Sequence, residues 1–291
     1  MGIAAQRQLN QVFGYIGMAL LVLLIGLPLL WLVSGSMKTN AEYFTADPTF
    51  IPNAIHFENF AKAWVQGNFG YYYINSIATT LLGAGAEVIM AVTTAYALVF
   101  LRVPGRNFFF VMLLVALMVP EQVVIIPNFL TVAEMGLLVT QSGDLTAAEY
   151  LRGWLAVVLP GASIAFGTFL LRQYFRTIPN DLVDAAKVDG ANHWTTLMNV
   201  VVPVATPAIA TTALLSFTAK WNEYLWPLIV TFVDQLRTLP IALRRMLDAE
   251  GNADWGVVMA AAILIVLPVI FVFLYAQRYV VDGLASGAVK G

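Results

Sequence analysis

Long, nearly uncharged apolar blocks recur through this 291-residue chain, and they restrict its fold more than any other feature. A bilayer core about 30 Å thick is crossed by roughly 20 apolar residues in helical conformation. Six segments meet that length: about 12–33, 73–100, from Phe108 to a point between Pro120 and Leu130, 154–171, 204–232 and 256–277. Backbone groups left unpaired in lipid cost several kcal/mol each, so every spanning segment is predicted to be a helix. The expected class is an all-α integral membrane protein with six transmembrane helices. Composition agrees: 60% of residues are hydrophobic and 11% charged, whereas a soluble domain carries about 25% charged residues.

Other classes fall away. A net charge of −2 gives no basic field for nucleic acid. Without cysteine there is no disulfide, thiolate metal site or cysteine nucleophile. His56 and His193 lie in segments expected on opposite sides of the membrane, and no acid–base pair, metal cluster or nucleophile elbow stands out, so neither an enzyme nor a metal site is expected. None of Lys38, Lys62, Lys187, Lys220 and Lys290 follows a glycine, so a Gly-Lys-Ser/Thr phosphate cradle cannot be built. The run after Arg7 exceeds the roughly 7–15 apolar residues of a signal peptide and is followed by no Ala-x-Ala site. It predicts an uncleaved first helix.

Lysine and arginine orient the spans. Arg7, Arg102, Arg106, Arg172, Arg176, Lys187, Arg278 and Lys290 fall on one set of connections; Lys38, Lys62, Arg152, Arg237, Arg244 and Arg245 fall on the other. The first set occupies shorter connections, so that side, with both termini, is expected to be cytoplasmic. Pro120, Pro160, Pro227 and Pro268 interrupt spans, and each removes a backbone donor. On the outer side, Ile55, Phe57, Phe60, Ala63 and Trp64 recur at helical spacing, which suits a short helix that rests on headgroups or docks a partner. No internal repeat is visible.

Polar residues within spans are costly, about 2.5–3.5 kcal/mol for a charge at the centre. Glu87 in the second span and Lys220 and Glu223 in the fifth should therefore face protein or water. Lys220 and Glu223 are three apart and can pair, with each other or with Glu87; the competing role is substrate contact. Asn222, Tyr224 and Trp226 are candidate ligand contacts, since an aromatic ring offers a sugar both an apolar face and a polar edge. Trp221 and Trp226 serve equally well as packing or interface anchors. Buried carboxylates also admit an ion-coupled secondary transporter, with Glu87 or Glu223 as proton carrier.

The connection 177–203 carries the sharpest pattern. Pro179 suits a first helical turn, Asn180 a cap, and Asp181 and Asp184 a helix N-terminus. Leu182, Ala185, Ala186 and Asp189 recur on one side, and Gly190 is a natural stop. A short exposed helix with a small-residue face results, either a plain linker or a docking element.

This loop resembles the signature of ABC importer permeases: Glu-Ala-Ala, three residues, Gly, nine residues, Ile-x-Leu-Pro. Here it reads Asp184-Ala185-Ala186, three residues, Gly190, nine residues, Val200-Val201-Val202-Pro203. Asp184 stands for the glutamate, and valines stand for isoleucine and leucine. Asn75-Ser76, Ala95-Tyr96-Ala97-Leu98, Pro104-Gly105-Arg106, Ala165 to Leu170, Trp221 to Leu228 and the tail Gly283 to Gly291 are similar to the carbohydrate-uptake class, relatives of the maltose permease's smaller subunit. The stretches around Arg172-Gln173 and Trp221 to Leu228 look most like glycerol-3-phosphate-type permeases.

The resemblance implies a type I ABC importer permease fold in one domain, residues 1–291: a first helix with an outer segment (1–72), a five-helix core (73–278) and a cytoplasmic tail (279–291). It implies a second homologous permease subunit, an ATPase dimer that holds ATP and magnesium, an extracytoplasmic solute-binding protein, and no cofactor on this chain itself. Asp181, Asp184, Ala185, Ala186, Asp189, Gly190 and Pro203 would couple to the ATPase, with an ion pair weakened by the shorter Asp184. The tail would reach the ATPase interface or stay disordered.

Overall fold

A computed structural model describes residues 3–45, 47, 49–141, 143–160, 164–247 and 253–288, with backbone only at 3–10, 164 and 279–288. Among them every regular element is helical. In chain order these are α1 (Ile3–Gly35), α2 (Asn40–Tyr43), α3 (Glu58–Gln66), α4 (Phe69–Phe100), α5 (Arg106–Leu117), α6 (Glu121–Glu134), α7 (Ala147–Val158), α8 (Ile164–Phe175) and α9 (Asn180–Val188). After α10 (His193–Thr196) come a π-helical turn at Leu197–Val201, α11 (Val202–Val204), α12 (Thr206–Trp221), α13 (Leu225–Val230), α14 (Leu239–Leu247) and α15 (Trp255–Ala288).

Three of these are long and apolar enough to cross a membrane: Gln11–Gly35, Phe69–Phe100 and Trp255–Arg278. Two bent pairs raise that to five if each pair is one span. Proline explains the departures from unbroken helices. Pro120 disfavours helical backbone at Val119, and α5 and α6 meet there at 98°. Pro227 cannot bond to the carbonyl of Glu223, and its ring crowds that oxygen; α12 ends at Trp221 and α13 begins at Leu225. The expected fourth span is divided between α7 and α8, twelve residues each, with Pro160 between them.

The chain forms two compact units, residues 1–69 with 243–267 and residues 70–242 with 268–291. In the first, α1 exposes Val12, Phe13, Leu20, Val22, Leu24 and Ile25 around its circumference, a surface suited to lipid or to another membrane helix. Beyond it, Asn59 donates to the carbonyls of Ser36 and Lys38 at 2.9 Å each. A Cβ on Gly256 would stand 2.3 Å from the Lys38 carbonyl oxygen, so only glycine fits there. The Lys38 side chain, 1% exposed, donates to the Thr49 carbonyl and lies 4.7 Å from the Trp31 ring centre.

The second unit is organised around α4. Asn75 donates to the carbonyls of Gln235 and Arg237 at 2.7 and 3.0 Å and accepts from the Trp154 indole at 2.9 Å. Ser76 accepts from the Leu239 amide at 2.9 Å. One dipeptide thus ties α4 to α7 and to the segment before α14. At Gly167 a Cβ would meet Ala91 Cβ at 2.9 Å and Thr212 Cγ2 at 3.2 Å, so α4 and α12 both pack closely against α8 there.

Candidate functional site

Two places in the second unit carry the expected site residues. The first is α9. Val183 and Ala186 are buried and fix one face of the helix; Val183 joins Tyr96, Phe175, Leu197 and Val201 in a common core. Asp181, Leu182, Asp184, Ala185, Val188 and Asp189 face outward, Val188 at 87% exposure. Ala186 therefore anchors the helix and does not belong to its exposed face. The helix starts at Asn180, with Pro179 as the residue before it and no side-chain cap, so Asn180 does not play the capping role its type suggests.

The helix ends as its sequence requires. Gly190 takes φ +80°, its amide donates to the Lys187 carbonyl at 3.0 Å, and the Ala191 amide donates to the Ala186 carbonyl at 2.9 Å. These paired bonds close a left-handed C-terminal motif that disfavours residues bearing a Cβ. No atom lies within 4 Å of a Cβ built on Gly190, so the glycine is needed for backbone conformation and not for space. Asp184 pairs with Lys187 at 2.8 Å across one turn. Behind α9, Trp194 and Met198 are exposed. Pro203 lies within α11.

The second place is the break between α12 and α13. A cleft of about 680 Å3 opens there, and α6 supplies its other wall. Lys220, Glu223, Tyr224 and Trp226 line it, joined by Glu121, Gln122 and Asn128. Lys220 pairs with Glu223 at 3.4 Å, and both side chains are largely buried. Glu87 is buried on α4 outside the cleft lining, with Lys220 as the cation acting on it. The three charges thus form one cluster that neutralises itself in part. Trp226 spends its indole N–H on the carbonyls of Ala156 and Val157 at 3.3 and 3.1 Å, which makes it a wall fixed to α7. Asn222 points its amide back to the Thr218 carbonyl at 2.8 Å and is not part of the lining. Trp221 is buried against Phe217, a packing role.

Glu121, Gln122 and Asn128 were not singled out by sequence reasoning. Their signal was a polar pair directly after Pro120 inside an apolar block; it gains meaning only once the 98° bend turns α6 toward α12.

Residues 87–286 match the family described as binding-protein-dependent transport system inner membrane component. The chain belongs to this family. As a member it is a multi-pass inner-membrane transport subunit and not an enzyme. It is 31% identical over 289 residues, 97% of this chain and 98% of the relative, to the sn-glycerol-3-phosphate transport system permease protein UgpE of Brucella abortus (strain 2308). It is 29% identical over 279 residues, 95% of each chain, to the arabinooligosaccharides transport system permease protein AraQ of Halalkalibacterium halodurans. Among solved structures it is similar to a chain of a bacterial ABC transporter involved in import of the acidic polysaccharide alginate, with TM-score 0.76 and 27% identity over 93% of this chain and 97% of that one. The type I permease fold of this family is therefore the fold of this chain.

Of the tail expected to approach a partner, the α15 backbone continues to Ala288, and Val289, Lys290 and Gly291 lie outside the described residues.

Proposed function

We propose that this chain is the transmembrane subunit of an ATP-driven importer of a polyhydroxylated solute, a sugar or a glycerol phosphate. It would form half of the translocation path beside a second homologous permease. Two ATPase subunits would bind ATP and magnesium, and an extracytoplasmic protein would deliver the solute. Six membrane crossings with both termini in the cytoplasm fit the distribution of lysine and arginine and the apolar blocks, with α7 and α8 sharing the fourth.

The observation that carries this reading is α9: a helix pinned from behind by Val183 and Ala186, closed at Gly190, and presenting Leu182, Ala185 and Val188 outward. An exposed apolar face rigidly mounted on a membrane domain suits a partner's groove. ATPase closure would push on it and, through the π-helical turn and α12, act on the cleft.

The lining favours a neutral sugar at this subunit's share of the path. Glu121, Gln122, Asn128, Lys220 and Glu223 offer donors and acceptors for hydroxyl groups, and one lysine is the only cation among these lining residues for a phosphate dianion. The similarity to UgpE along 97% of the chain favours the glycerol phosphate. Family membership leaves the ion-coupled alternative without support.

The test is the ATPase activity of the purified assembly with its binding protein, over a panel of sugars and glycerol phosphates. Stimulation by one compound, abolished by Gly190→Val while the subunits still copurify, supports the reading and names the solute. Uptake that follows a proton gradient with no nucleotide dependence rejects it.

A further inference from the structure

Three arginines meet in a groove of about 480 Å3 at the junction of α4, α5 and α8: Arg106, Arg172 and Arg176. No Asp or Glu lines it, and the ion pairs among the described residues include none of the three. Arg106 and Arg176 act on Arg172 as like charges. The Arg172 guanidinium carbon lies 3.8 Å from the Phe110 ring centre, and its Nε is buried without a hydrogen-bond partner. A buried donor left unpaired costs roughly 1–3 kcal/mol, and three arginines lining one groove without a carboxylate suit a phosphate.

A second, apolar groove of about 390 Å3 adjoins the first and shares Leu98 with it; Ala97, Phe109, Met112 and Leu113 form its walls. Phe108, Phe109 and Val111 are more than half exposed on the same helix. A free phosphate ion would use the basic groove alone. Asn180, the first residue of α9, also lines the basic groove, so an ATPase docked on α9 is the competing occupant; an acidic side chain from it would fill the basic groove and leave the apolar one unused. The pair of grooves, charged at one end and oily at the other, matches one class of molecule.

We propose that this chain holds an anionic phospholipid here, with the headgroup phosphate on Arg106, Arg172 and Arg176 and an acyl chain along Leu98, Phe109 and Met112. Basic pockets between helices at a membrane surface suit such headgroups. The site lies apart from the α12–α13 cleft and does not depend on which solute is carried.

The test is native mass spectrometry of the intact transporter after exchange into detergent with equal phosphatidylglycerol and phosphatidylcholine, alone and with excess inorganic phosphate. Retention of phosphatidylglycerol over phosphatidylcholine, unchanged by phosphate, is expected. The variant Arg106→Gln/Arg176→Gln should weaken that retention about fivefold per arginine removed, and the lysine pair Arg106→Lys/Arg176→Lys should keep most of it. Should the double glutamine variant fail to assemble, the single variant Arg176→Gln is read in its place, and retention of phosphatidylglycerol equal to that of the unaltered transporter overturns the proposal. Equal retention of both lipids overturns the proposal. So does displacement by inorganic phosphate, which would make this an ion site. So does retention of phosphatidylglycerol only once the ATPase has been stripped away, which would make the groove an ATPase contact.

Discussion

Two lysines are removed from water in this protein, and they are treated in opposite ways. Lys38, in the first unit, is wrapped by the Trp31 ring, the Thr49 carbonyl and the α2 turn. Lys220, in the second, faces a carboxylate across 3.4 Å at the edge of an open cleft. An ammonium enclosed by carbonyl oxygen and an aromatic face holds a loop in one shape and leaves no room for anything else. An ammonium paired with a carboxylate at a cavity wall leaves that pair within reach of whatever enters the cavity. The first arrangement is architecture; the second lines the cleft proposed as the solute path.

The largest effect should come from the wall behind Lys38. Gly256→Leu forces a side chain into a space where even a Cβ stands 2.3 Å from a backbone oxygen, so it should exceed the roughly 1–3 kcal/mol of ordinary overpacking and leave little folded protein. The check is the yield and melting temperature of the detergent-solubilised protein. Lys220→Met should come next, since it leaves Glu223 and Glu87 without their cation; breaking a buried pair costs about 3–5 kcal/mol. The double change Lys220→Met/Glu223→Gln should recover most of the melting temperature while substrate-stimulated ATPase activity stays low. If activity returns with stability, the pair is architecture too, and the contrast with Lys38 collapses. Lys38→Met should cost about 2 kcal/mol through the lost cation–π contact and an unmet carbonyl, and leave stimulation by solute unchanged once corrected for folded protein.

These contrasts were legible in the sequence to different depths. The short helix α9 was readable because its determinants are local: Asp181 and Ala185 lie in it, Gly190 ends it, and helical spacing alone places them. The Lys220–Glu223 pair was readable for the same reason, being three residues apart. The cleft wall was not. Glu121 and Asn128 reach it only because Pro120 bends the chain by 98°, and a proline announces a break without giving its angle. Asn222 and Trp226 look like ligand contacts by type, but partners supplied by folding, the Thr218 carbonyl and the α7 backbone, occupy them. Asn75 and Ser76 were visible only as a class resemblance; their bonds to residues about 160 positions away have no local sign.

A smaller effect on stability, with a larger one on coupling, is expected at Gly190. A β-branched residue at φ +80° is strained by about 1–2 kcal/mol. Gly190→Val should therefore lower the melting temperature by only a few degrees. It should also uncouple ATPase stimulation, whereas Gly190→Asn, which tolerates this backbone, should retain much of it. Equal loss in both variants would mean that the exposed surface and not the turn conformation is what matters.

The smallest effect tests the shell around Lys38. Glu42 accepts from the amides of Thr39 at 3.1 Å and Asn53 at 2.9 Å. These bonds, the Asn53 one first, hold its carboxyl below the ordinary glutamate range. A group whose folded pKa is depressed contributes stability that is present above its unfolded pKa and is lost as pH falls through the folded value. The difference in melting temperature between the unaltered protein and Glu42→Gln should thus be positive near pH ~6 and shrink as pH falls through the carboxylate range toward ~3.5. Glu42 lies near the surface, where solvent screens most of the effect, so a shift of no more than a degree or two is expected. A difference that does not vary with pH would mean that the amide of glutamine caps the turn as well as the carboxylate. The enclosure of Lys38 would then owe its stability to the rings and to the Thr49 carbonyl alone.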